Sequence, residues 1–262
     1  MRILIAGAAG SIGREVARGL SANGHELRGL DLVESPAEHC TLGTVVGDCT
    51  DAAVVGEAVD GVEAVVHLAG RPSEATLPEE FTSHVVTTAT LLEAMVAAGV
   101  RRIAYASSNH AVGMHEQTES LGVDVRPRPD TSYGVAKVAA EALLSLYVDK
   151  AGIEAVAMRI GSFLERPETI RQLATWLSPG DCVRMVEAAV TARDVGFTVV
   201  YGISANTRAW WDLEPGRAIG YVPVDDAEAY AADIPHRAED AAETARVGGP
   251  FATSPGPPKA MG

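Results

Sequence analysis

The sequence of 262 residues predicts an α/β protein with a doubly wound parallel sheet. Apolar runs of strand length alternate along it with amphipathic stretches of helix length, and three closely spaced glycines follow the first run directly. Helices that connect parallel strands cover both faces of the sheet, and the ligands of such proteins bind at the carboxyl ends of the strands. We therefore expect functional residues where strands end.

The first half of the chain alternates strand and helix patterns. RILIAG (2–7) is a run of mostly apolar residues, and the stretch 11–22 after it is amphipathic. HELRGLD (25–31) and GTVVGD (43–48) each end in a carboxylate, and the Ala- and Val-rich stretch 51–59 is the second predicted helix.

The second half repeats this alternation. VEAVVHLAG, RRIAYASS, IEAVAMRIG and FTVVYGIS are apolar runs of strand length, separated by longer segments with helical patterns. The predicted strands are 62–70, 101–108, 153–161 and 197–204, and the predicted helices are 78–98 and 131–150.

The composition excludes several classes of protein. A net charge of −14 argues against nucleic acid and anionic membranes as partners, because phosphate groups bind basic surfaces. No apolar run reaches the roughly 18 residues of a membrane helix, and the first strand is too short for a secretory signal, so we expect a cytoplasmic protein. The three cysteines, Cys40, Cys49 and Cys182, have no paired spacing and are expected to be reduced thiols.

The glycines of GAAGSIG indicate a loop that binds a dinucleotide. Gly7 permits a tight turn, Gly10 lets the backbone approach a pyrophosphate, and Gly13 lets the helix pack closely on the sheet. The amino terminus of that helix attracts the anion. A glycine triplet alone is equally compatible with a plain tight turn, so the prediction depends on its context.

Two carboxylates at strand ends supply that context. Asp31 ends the second strand about 20 residues after Gly10, where it can accept hydrogen bonds from the adenosine ribose. It would repel a 2′-phosphate, and no arginine follows it closely, which favours NAD over NADP. Asp48 ends the third strand, where it can bond the adenine amino group, cap the next helix, or do both.

We therefore predict that residues 1–204 form a dinucleotide-binding Rossmann domain that also carries the catalytic residues. The pattern loosens beyond this point, and 205–245 is predicted to be a small C-terminal lobe on the substrate side, with Trp210 and Trp211 packed inside it. Residues 246–262 are rich in Pro and Gly and are predicted to be a mobile tail.

Tyr133 and Lys137 lie four residues apart near the start of the predicted helix 131–150, so their side chains leave the same helical face. Together with the glycine loop, this pair resembles the short-chain dehydrogenase/reductase superfamily of the extended type. The resemblance implies that Tyr133, Lys137 and Ser108, at the end of the fifth strand, are catalytic. An ammonium about 5 Å from the phenol would stabilise the phenolate by about 3 kcal/mol and bring Tyr133 into range as a base near neutral pH.

The stretch ASSNH (106–110) ends the fifth strand with four polar residues. A serine nucleophile with a neighbouring histidine base fails on geometry, because adjacent residues of an extended strand point apart. A zinc site needs three or four converging ligands, and no suitable His or Cys pattern lies nearby, so no metal is expected. What remains is an active-site serine followed by polar groups that face a substrate.

Longer stretches resemble one subfamily, the uronate dehydrogenases, over nearly the whole chain. They are ASSNHAVG, QTESLG, RPDTSYGVAK, RIGS, IRQLATWLS and SANTRAWWD. The resemblance implies that Ser108, Asn109 and His110 hold the hydroxyls of a hexuronic acid, and that Ser162 and Arg171 contact its carboxylate end. A guanidinium suits a carboxylate, whereas a neutral hexose would leave its charge unpaired. From the residues alone, Arg171 would be a solvated surface arginine and His110 a loop cap.

The same resemblance implies a cofactor site and a reaction. The NAD-binding residues that it implies are Gly7, Gly10, Ser11, Ile12, Gly13, Asp31, Leu32, Asp48, Cys49, Leu68, Ala69, Gly70, Tyr133, Lys137 and Phe163. The implied reaction is NAD-dependent oxidation of a hexuronic acid such as D-glucuronate or D-galacturonate at C1, which gives an aldaric acid lactone. A homo-oligomer is also expected.

Two places depart from the family pattern. His84 stands where extended members usually carry an asparagine that supports a water and the lysine, so we expect an altered proton relay. After HLAG, the residues Arg71, Pro72 and Ser73 replace the usual hydrophobic residue and serine. Ser73 is therefore the substrate-binding candidate in this loop, and Arg71 is a candidate second anchor for an anion.

Two other functions stay open at this point. A nucleotide-sugar epimerase or dehydratase has the same fold but needs a larger C-terminal region than this chain has after Lys137. A dinucleotide-sensing regulator would bind NAD without turnover, but such proteins typically lose the tyrosine or the lysine that this chain carries.

Overall fold

The strands of the computed structural model follow the predicted order along the chain. The structure describes residues 1–36, 38–72, 74–254 and 261. The strands are β1 (Arg2–Ala6), β2 (Glu26–Asp31), β3 (Thr44–Val46), β4 (Ala64–His67), β5 (Arg102–Ser108), β6 (Glu154–Ile160), β7 (Ser162–Phe163), β8 (Trp176–Leu177) and β9 (Phe197–Gly202). Seven of them form one parallel sheet in the order β3-β2-β1-β4-β5-β6-β9, and β7 pairs with β8 in a small second sheet. The predicted doubly wound parallel sheet is confirmed.

Helices connect the strands and cover both faces of the sheet. They are α1 (Ser11–Ala22), α2 (Ala52–Val59), α3 (Leu77–Glu80), α4 (Thr87–Ala98), α5 (Ser132–Ala151), α6 (Gln172–Thr175), α7 (Pro179–Thr191), α8 (Glu214–Ala218), α9 (Asp240–Thr244) and α10 (Pro250–Thr253). A π-helical turn, Phe81–Val86, joins α3 to α4, and 3₁₀ turns occupy Asn109–Val112 and Ala227–Asp233.

Alternate residues of the strands supply two apolar layers, one on each face. Ile3 and Ile5 of β1 pack with α1 and α7, whereas Leu4 packs on the opposite face with α2, α4 and α5. This follows from the strand period of two, which sends successive side chains to opposite faces. Because both faces are covered, loops at the carboxyl edge are left to form the site.

Helix α7 was not predicted, although its start carries the expected signals. Ser178 is the N-cap and accepts a hydrogen bond from Asp181 N at 2.9 Å, and Pro179 occupies the first turn. The helix packs closely on α1, where a Cβ on Gly19 would lie 2.5 Å from Val183. α7 therefore completes the layer on the α1 face.

The helical stretch Leu77–Ala98 is long and apolar enough to qualify by length and composition as a membrane span, although no run of that kind was expected from the sequence. The core helix of a soluble protein meets the same criterion. Leu91, Leu92 and Met95 of this stretch are fully buried in the layer against the sheet. About 33% of its most apolar window is buried inside the structure.

The chain after β9 folds back along the carboxyl edge of the sheet. Trp210 and Trp211 are buried in a cluster with Tyr201 and Leu121, in agreement with their predicted packing role. Residues 246–249, which the composition predicted to be mobile, pack against the rest of the chain, and Val247 is fully buried. Residues 255–260 and 262 of the predicted tail lie outside the described residues.

Candidate active site

A cleft of about 810 Å³ lies at the carboxyl ends of β1, β2 and β4. This volume is typical of small-molecule sites. The predicted cofactor residues that line it are Gly7, Gly10, Asp31, Leu32, Asp48, Cys49, Leu68, Ala69 and Gly70. Ser11, Ile12 and Gly13 form the first turn of α1 beside the cleft, and Phe163 packs against the core on the α1 face.

The glycine loop has the close contacts that a dinucleotide cradle needs. Gly7 has a φ of 89°, and a Cβ there would lie 2.6 Å from Ala69 N. A Cβ on Gly13 would lie 2.1 Å from Gly7 O, so only glycine lets α1 approach the loop. Gly10 is the N-cap of α1 and offers no side chain to cap the first amides. These amides suit an anion, and the cradle fits the pyrophosphate of NAD.

The two predicted carboxylates have different partners. Asp31 accepts hydrogen bonds from Ala9 N at 2.8 Å and Leu32 N at 2.7 Å, which fixes its carboxylate at the cleft wall. Asp48 accepts from the backbone and hydroxyl of Thr50 at 2.8 Å. Asp51 is the N-cap of α2, so the capping alternative for Asp48 is wrong.

The three predicted catalytic residues lie together. Tyr133 is in the first turn of α5, which Thr131 caps by accepting from Gly134 N at 2.9 Å. Ser108, at the end of β5, lies near enough to the phenol for its hydroxyl to lower the pKa of Tyr133, and this hydroxyl accepts a hydrogen bond from His110 N at 3.2 Å. The Lys137 ammonium lies 5.3 Å from the centroid of the Tyr133 ring and donates to a backbone carbonyl of β5 at 2.6 Å.

Burial dominates the ionisation of this pair, which differs from the sequence expectation. It raises the pKa of Tyr133 to about 12, although the hydrogen bond from Ser108 acts in the opposite direction. Burial also lowers the pKa of Lys137 to about 7, against the opposing effect of Glu80 and Glu141. The expected lowering of the phenol pKa by the amine is therefore absent, because the amine itself is desolvated.

Two histidine–carboxylate pairs flank the ring of Tyr133. His110 Nδ1 lies 2.9 Å from Asp130 Oδ1, and the His110 ring meets Tyr133 edge to face at 5.9 Å between centroids. On the other side, His84 Nε2 lies 3.3 Å from Glu80 Oε2, and its ring meets Tyr133 at 5.1 Å. Burial lowers the pKa of His84 to about 2, so this histidine is neutral.

His84 also holds the loop that follows β4. Its Nε2 donates to Arg71 O at 3.1 Å, which leaves Nδ1 as a buried acceptor without a partner among the described residues. A Cβ on Gly70 would lie 2.4 Å from the His84 ring, so the ring supports the cleft wall directly. Arg71 lines the cleft 3.9 Å from Glu79, and Ser73 lies outside the described residues.

Hydrogen bonds connect three of the described candidates for sugar binding, Asn109, Ser162 and Arg171, through Val247 O and Thr175. Asn109 Nδ2 and Arg171 Nη2 both donate to Val247 O, at 3.0 Å and 2.6 Å. Ser162 Oγ lies 3.0 Å from the hydroxyl of Thr175 in the same region. Arg171 is partly buried and bonded, which rules out the solvated surface arginine that its type alone suggests.

Several residues that hold the site were missed in the sequence. Glu141 receives two hydrogen bonds from Arg159, at 2.8 Å and 3.0 Å, and one from Ser107, which ties α5 to β5 and β6. Asp130 immediately precedes the cap of α5, a position that could have suggested a helix-start carboxylate. Nothing in the local sequence singles out Glu141, because its partners come from distant strands.

The described part of the chain contains no group of three or more His, Cys, Asp or Glu side chains arranged to hold a metal ion.

Comparison with known proteins identifies the family. Residues 3–165 match the NAD dependent epimerase/dehydratase family. The chain belongs to this family. Within it, the uronate dehydrogenase of Pseudomonas syringae pv. tomato is 36% identical over 257 residues, covering 97% of this chain and 94% of that protein. The predicted resemblance to uronate dehydrogenases is confirmed.

Solved structures of family members agree with this assignment. The crystal structure of uronate dehydrogenase from Agrobacterium tumefaciens has a TM-score of 0.89 and 38% identity, covering 97% of each chain. A mutant of that enzyme complexed with NAD gives the same values.

A further relative by sequence is the NAD-dependent glucose-6-phosphate dehydrogenase of Haloferax volcanii. It is 35% identical, covering 86% of this chain and 93% of that protein.

Proposed function

We propose that this protein is an NAD-dependent dehydrogenase that oxidises a hexuronic acid, such as D-glucuronate or D-galacturonate, at C1. The observation that carries the proposal is the position of Tyr133 and Lys137 beside His84, whose ring contacts Gly70 in the wall of the dinucleotide cleft. Arg171 shares the Val247 carbonyl with Asn109, the residue that follows Ser108. The uronate dehydrogenase relatives support it over nearly the full length of the chain.

The cleft has a distinct role for each part of NAD. The amides at the start of α1 would hold the pyrophosphate, and Asp31 would accept hydrogen bonds from the adenosine ribose. Asp48 and Cys49 line the end of the cleft where adenine would lie, and Leu68 to Gly70 line the side nearer to Tyr133. When bound, NAD supplies an acceptor for the hydride that leaves the sugar carbon.

Tyr133 removes the proton of the C1 hydroxyl, and Ser108 donates a hydrogen bond to the same oxygen. Lys137, when its amine is protonated, stabilises the phenolate of Tyr133. The same amine would also bind the nicotinamide ribose. Since C1 belongs to the pyranose ring, its oxidation gives a lactone of an aldaric acid. Arg171 pairs with the substrate carboxylate, and Asn109, His110 and Ser162 bind polar groups of the sugar.

Two relatives from Haloferax volcanii, a glucose-6-phosphate dehydrogenase and an L-arabinose 1-dehydrogenase, define the competing substrates to test. The assay mixes the protein with NAD and follows NADH absorbance with D-glucuronate, D-galacturonate, glucose 6-phosphate and L-arabinose. We expect turnover with the uronates and loss of at least about 100-fold in kcat for Tyr133→Phe, the range attributed to a general base. Turnover of the phosphate or the pentose alone would contradict the proposed substrate class.

The same experiment separates the other candidate functions. A nucleotide-sugar epimerase would interconvert sugars without net NADH formation, and a sensor would bind NAD without turning over any sugar. Both are less well supported, because the described relatives that match over nearly the whole chain are dehydrogenases. A cytoplasmic location and a homo-oligomeric state belong to the proposal, and sedimentation of the purified protein tests the second.

A further inference from the structure

A segment near the end of the chain is built into the sugar side of the site. Residues 246–253, called the C-terminal strap below, form an antiparallel bridge with the loop after β5. Val247 is fully buried, and the Gly248 N–H donates to Gly113 O at 2.9 Å. The strap is therefore anchored to the loop that begins with the sugar-binding candidates of the proposed function.

One carbonyl of the strap organises two of those candidates. Val247 O accepts from Asn109 Nδ2 at 3.0 Å and from Arg171 Nη2 at 2.6 Å. Gly249, with a φ of 61°, passes so close to the guanidinium that a Cβ would lie 2.3 Å from Arg171 Nε. The strap therefore sets the position of both donors, and only glycine allows it to cross Arg171.

The strap also brings an aromatic ring to this place. Phe251 meets His110 edge to face at 5.1 Å between centroids, and His110 meets Tyr133 in the same way. Asp130 occupies Nδ1 of His110, which leaves Nε2 for a ligand. Phe251 is 53% exposed, so much of its ring is available to a ligand held by His110.

We propose that the C-terminal strap is a wall of the sugar site and that Phe251 is a specificity-determining residue that packs against the pyranose ring. This inference rests on the proposed function. A pyranose presents C–H groups on its faces, and these pack on aromatic rings by dispersion and weak C–H contacts. Phe251 thus binds the apolar face of the sugar, while Arg171 binds its carboxylate.

The test compares Phe251→Ala with Val222→Ala, which removes a similarly exposed apolar side chain, 61% accessible, outside the site. We expect Phe251→Ala to raise the KM for D-glucuronate about tenfold, the effect of losing one aromatic contact. Its kcat and its KM for NAD should stay close to the wild-type values. Phe251→Trp, which keeps an aromatic ring, should restore most of the affinity, and Val222→Ala should leave all three constants unchanged.

A wild-type KM for D-glucuronate in Phe251→Ala would overturn the inference, and so would a loss of NAD binding, since the ring would then support the fold instead of the sugar. A second variant tests the strap independently. Gly249→Ala should raise the KM for D-glucuronate further, because its Cβ displaces the strap from Arg171, and a wild-type KM there would contradict the inference. A wild-type protein that oxidises no uronate would instead refute the proposed function.

Discussion

Burial acts on Tyr133 and Lys137 in opposite directions, and the balance between them decides when the site can remove a proton. The phenol keeps its proton more firmly than it would in water, with a pKa of about 12, whereas the amine has a pKa of about 7. Desolvation is the largest cause of both shifts, and the amine nitrogen lies 5.3 Å from the centroid of the Tyr133 ring. Burial thus favours the neutral form of both groups, and the deprotonated phenol becomes more abundant only as the pH rises.

The expected pH dependence follows from the sign of these pKa values. Because the base must be deprotonated and the pKa of Tyr133 is about 12, kcat for uronate oxidation should rise with pH above neutrality. Lys137→Met should lower kcat at least about 100-fold, because it removes the buried amine that lies beside the Tyr133 ring and bonds the backbone of β5. Stopped-flow pH profiles of both proteins measure this, and a rate that falls above neutral pH would contradict it.

Arg171 gives the second prediction at this scale. Arg171→Ala should raise the KM for uronates about 100-fold, because a charge-assisted bidentate pair is lost, while the KM for NAD should stay unchanged. Arg171→Lys keeps a donor for Val247 O but cannot form the two parallel hydrogen bonds of a guanidinium. Its KM for uronates should therefore lie between those of the wild type and Arg171→Ala. Steady-state kinetics of the three proteins measure the series. A wild-type KM for uronates in Arg171→Lys would show that bidentate pairing by Arg171 does not contribute to substrate binding.

The π-helical turn Phe81–Val86 is the element that places His84 against Tyr133. π-turns inside helices often occur at functional sites. The turn places Glu80 and His84 on the same side of the helix. The carboxyl group of Glu80 is fully buried there, 3.3 Å from His84 Nε2. The altered relay predicted from His84 stays a prediction, but the pair has a clear structural role.

The stability of this pair can be measured directly. His84→Ala should lower the free energy of unfolding by about 3 kcal/mol, because Arg71 O loses its donor and the buried ring that packs on Gly70 and Tyr133 is removed. The double variant Glu80→Gln with His84→Ala should recover part of that loss, since it no longer buries an unpaired carboxylate. Urea unfolding of the wild type, the single variants His84→Ala and Glu80→Gln, and the double variant gives the coupling energy. An additive cycle would mean that the two residues do not interact.

The predicted elements agree with the structure because each has a local signal. The alternation of Ile3, Leu4 and Ile5, the glycine loop and the Thr131 cap are all written in short stretches of sequence. The π-turn could not be predicted, since the residues of Phe81–Val86 also suit an ordinary helix. The position of the C-terminal strap could not be predicted either, because Pro and Gly favour a loop whether or not tertiary contacts anchor it.

The candidate site shows the same division. The roles of Tyr133 and Lys137 follow from a spacing of four, and Asp31 follows from its strand end. The pKa values do not, because they depend on burial by elements distant in sequence. The same holds for the hydrogen bonds that Val247 O receives, which join residues far apart along the chain.

At the scale of the whole molecule, two fully or nearly fully buried histidines make stability sensitive to acid. Burial lowers the pKa of His67 to about 3 and that of His84 to about 2, whereas both would titrate near 6.5 in the unfolded chain. A folded pKa below the unfolded value means that the unfolded state binds more protons. The stability that each histidine contributes is therefore complete above pH about 6.5 and is lost as the pH falls below it.

We expect the free energy of unfolding to drop by about 2 kcal/mol for each of these histidines between pH about 6.5 and pH 5, from the linkage relation of about 1.4 kcal/mol per pH unit. Urea unfolding at the two pH values measures the total. His84→Asn removes one of the titrations, so its loss over the same interval should be smaller than that of wild type by about 2 kcal/mol. An equal loss in both proteins would contradict the assignment to His84.

The hydrogen bonds from Asn109 and Arg171 to Val247 O have a consequence for synthesis on the ribosome. The residues that line the dinucleotide cleft all precede position 88, so they leave the exit tunnel long before residue 247. Translation adds about 5–20 residues per second, so residue 247 is synthesised on the order of ten seconds after the last residue that lines the cleft. A nascent chain can therefore begin to assemble its nucleotide pocket well before translation delivers the backbone that orders its sugar-binding donors.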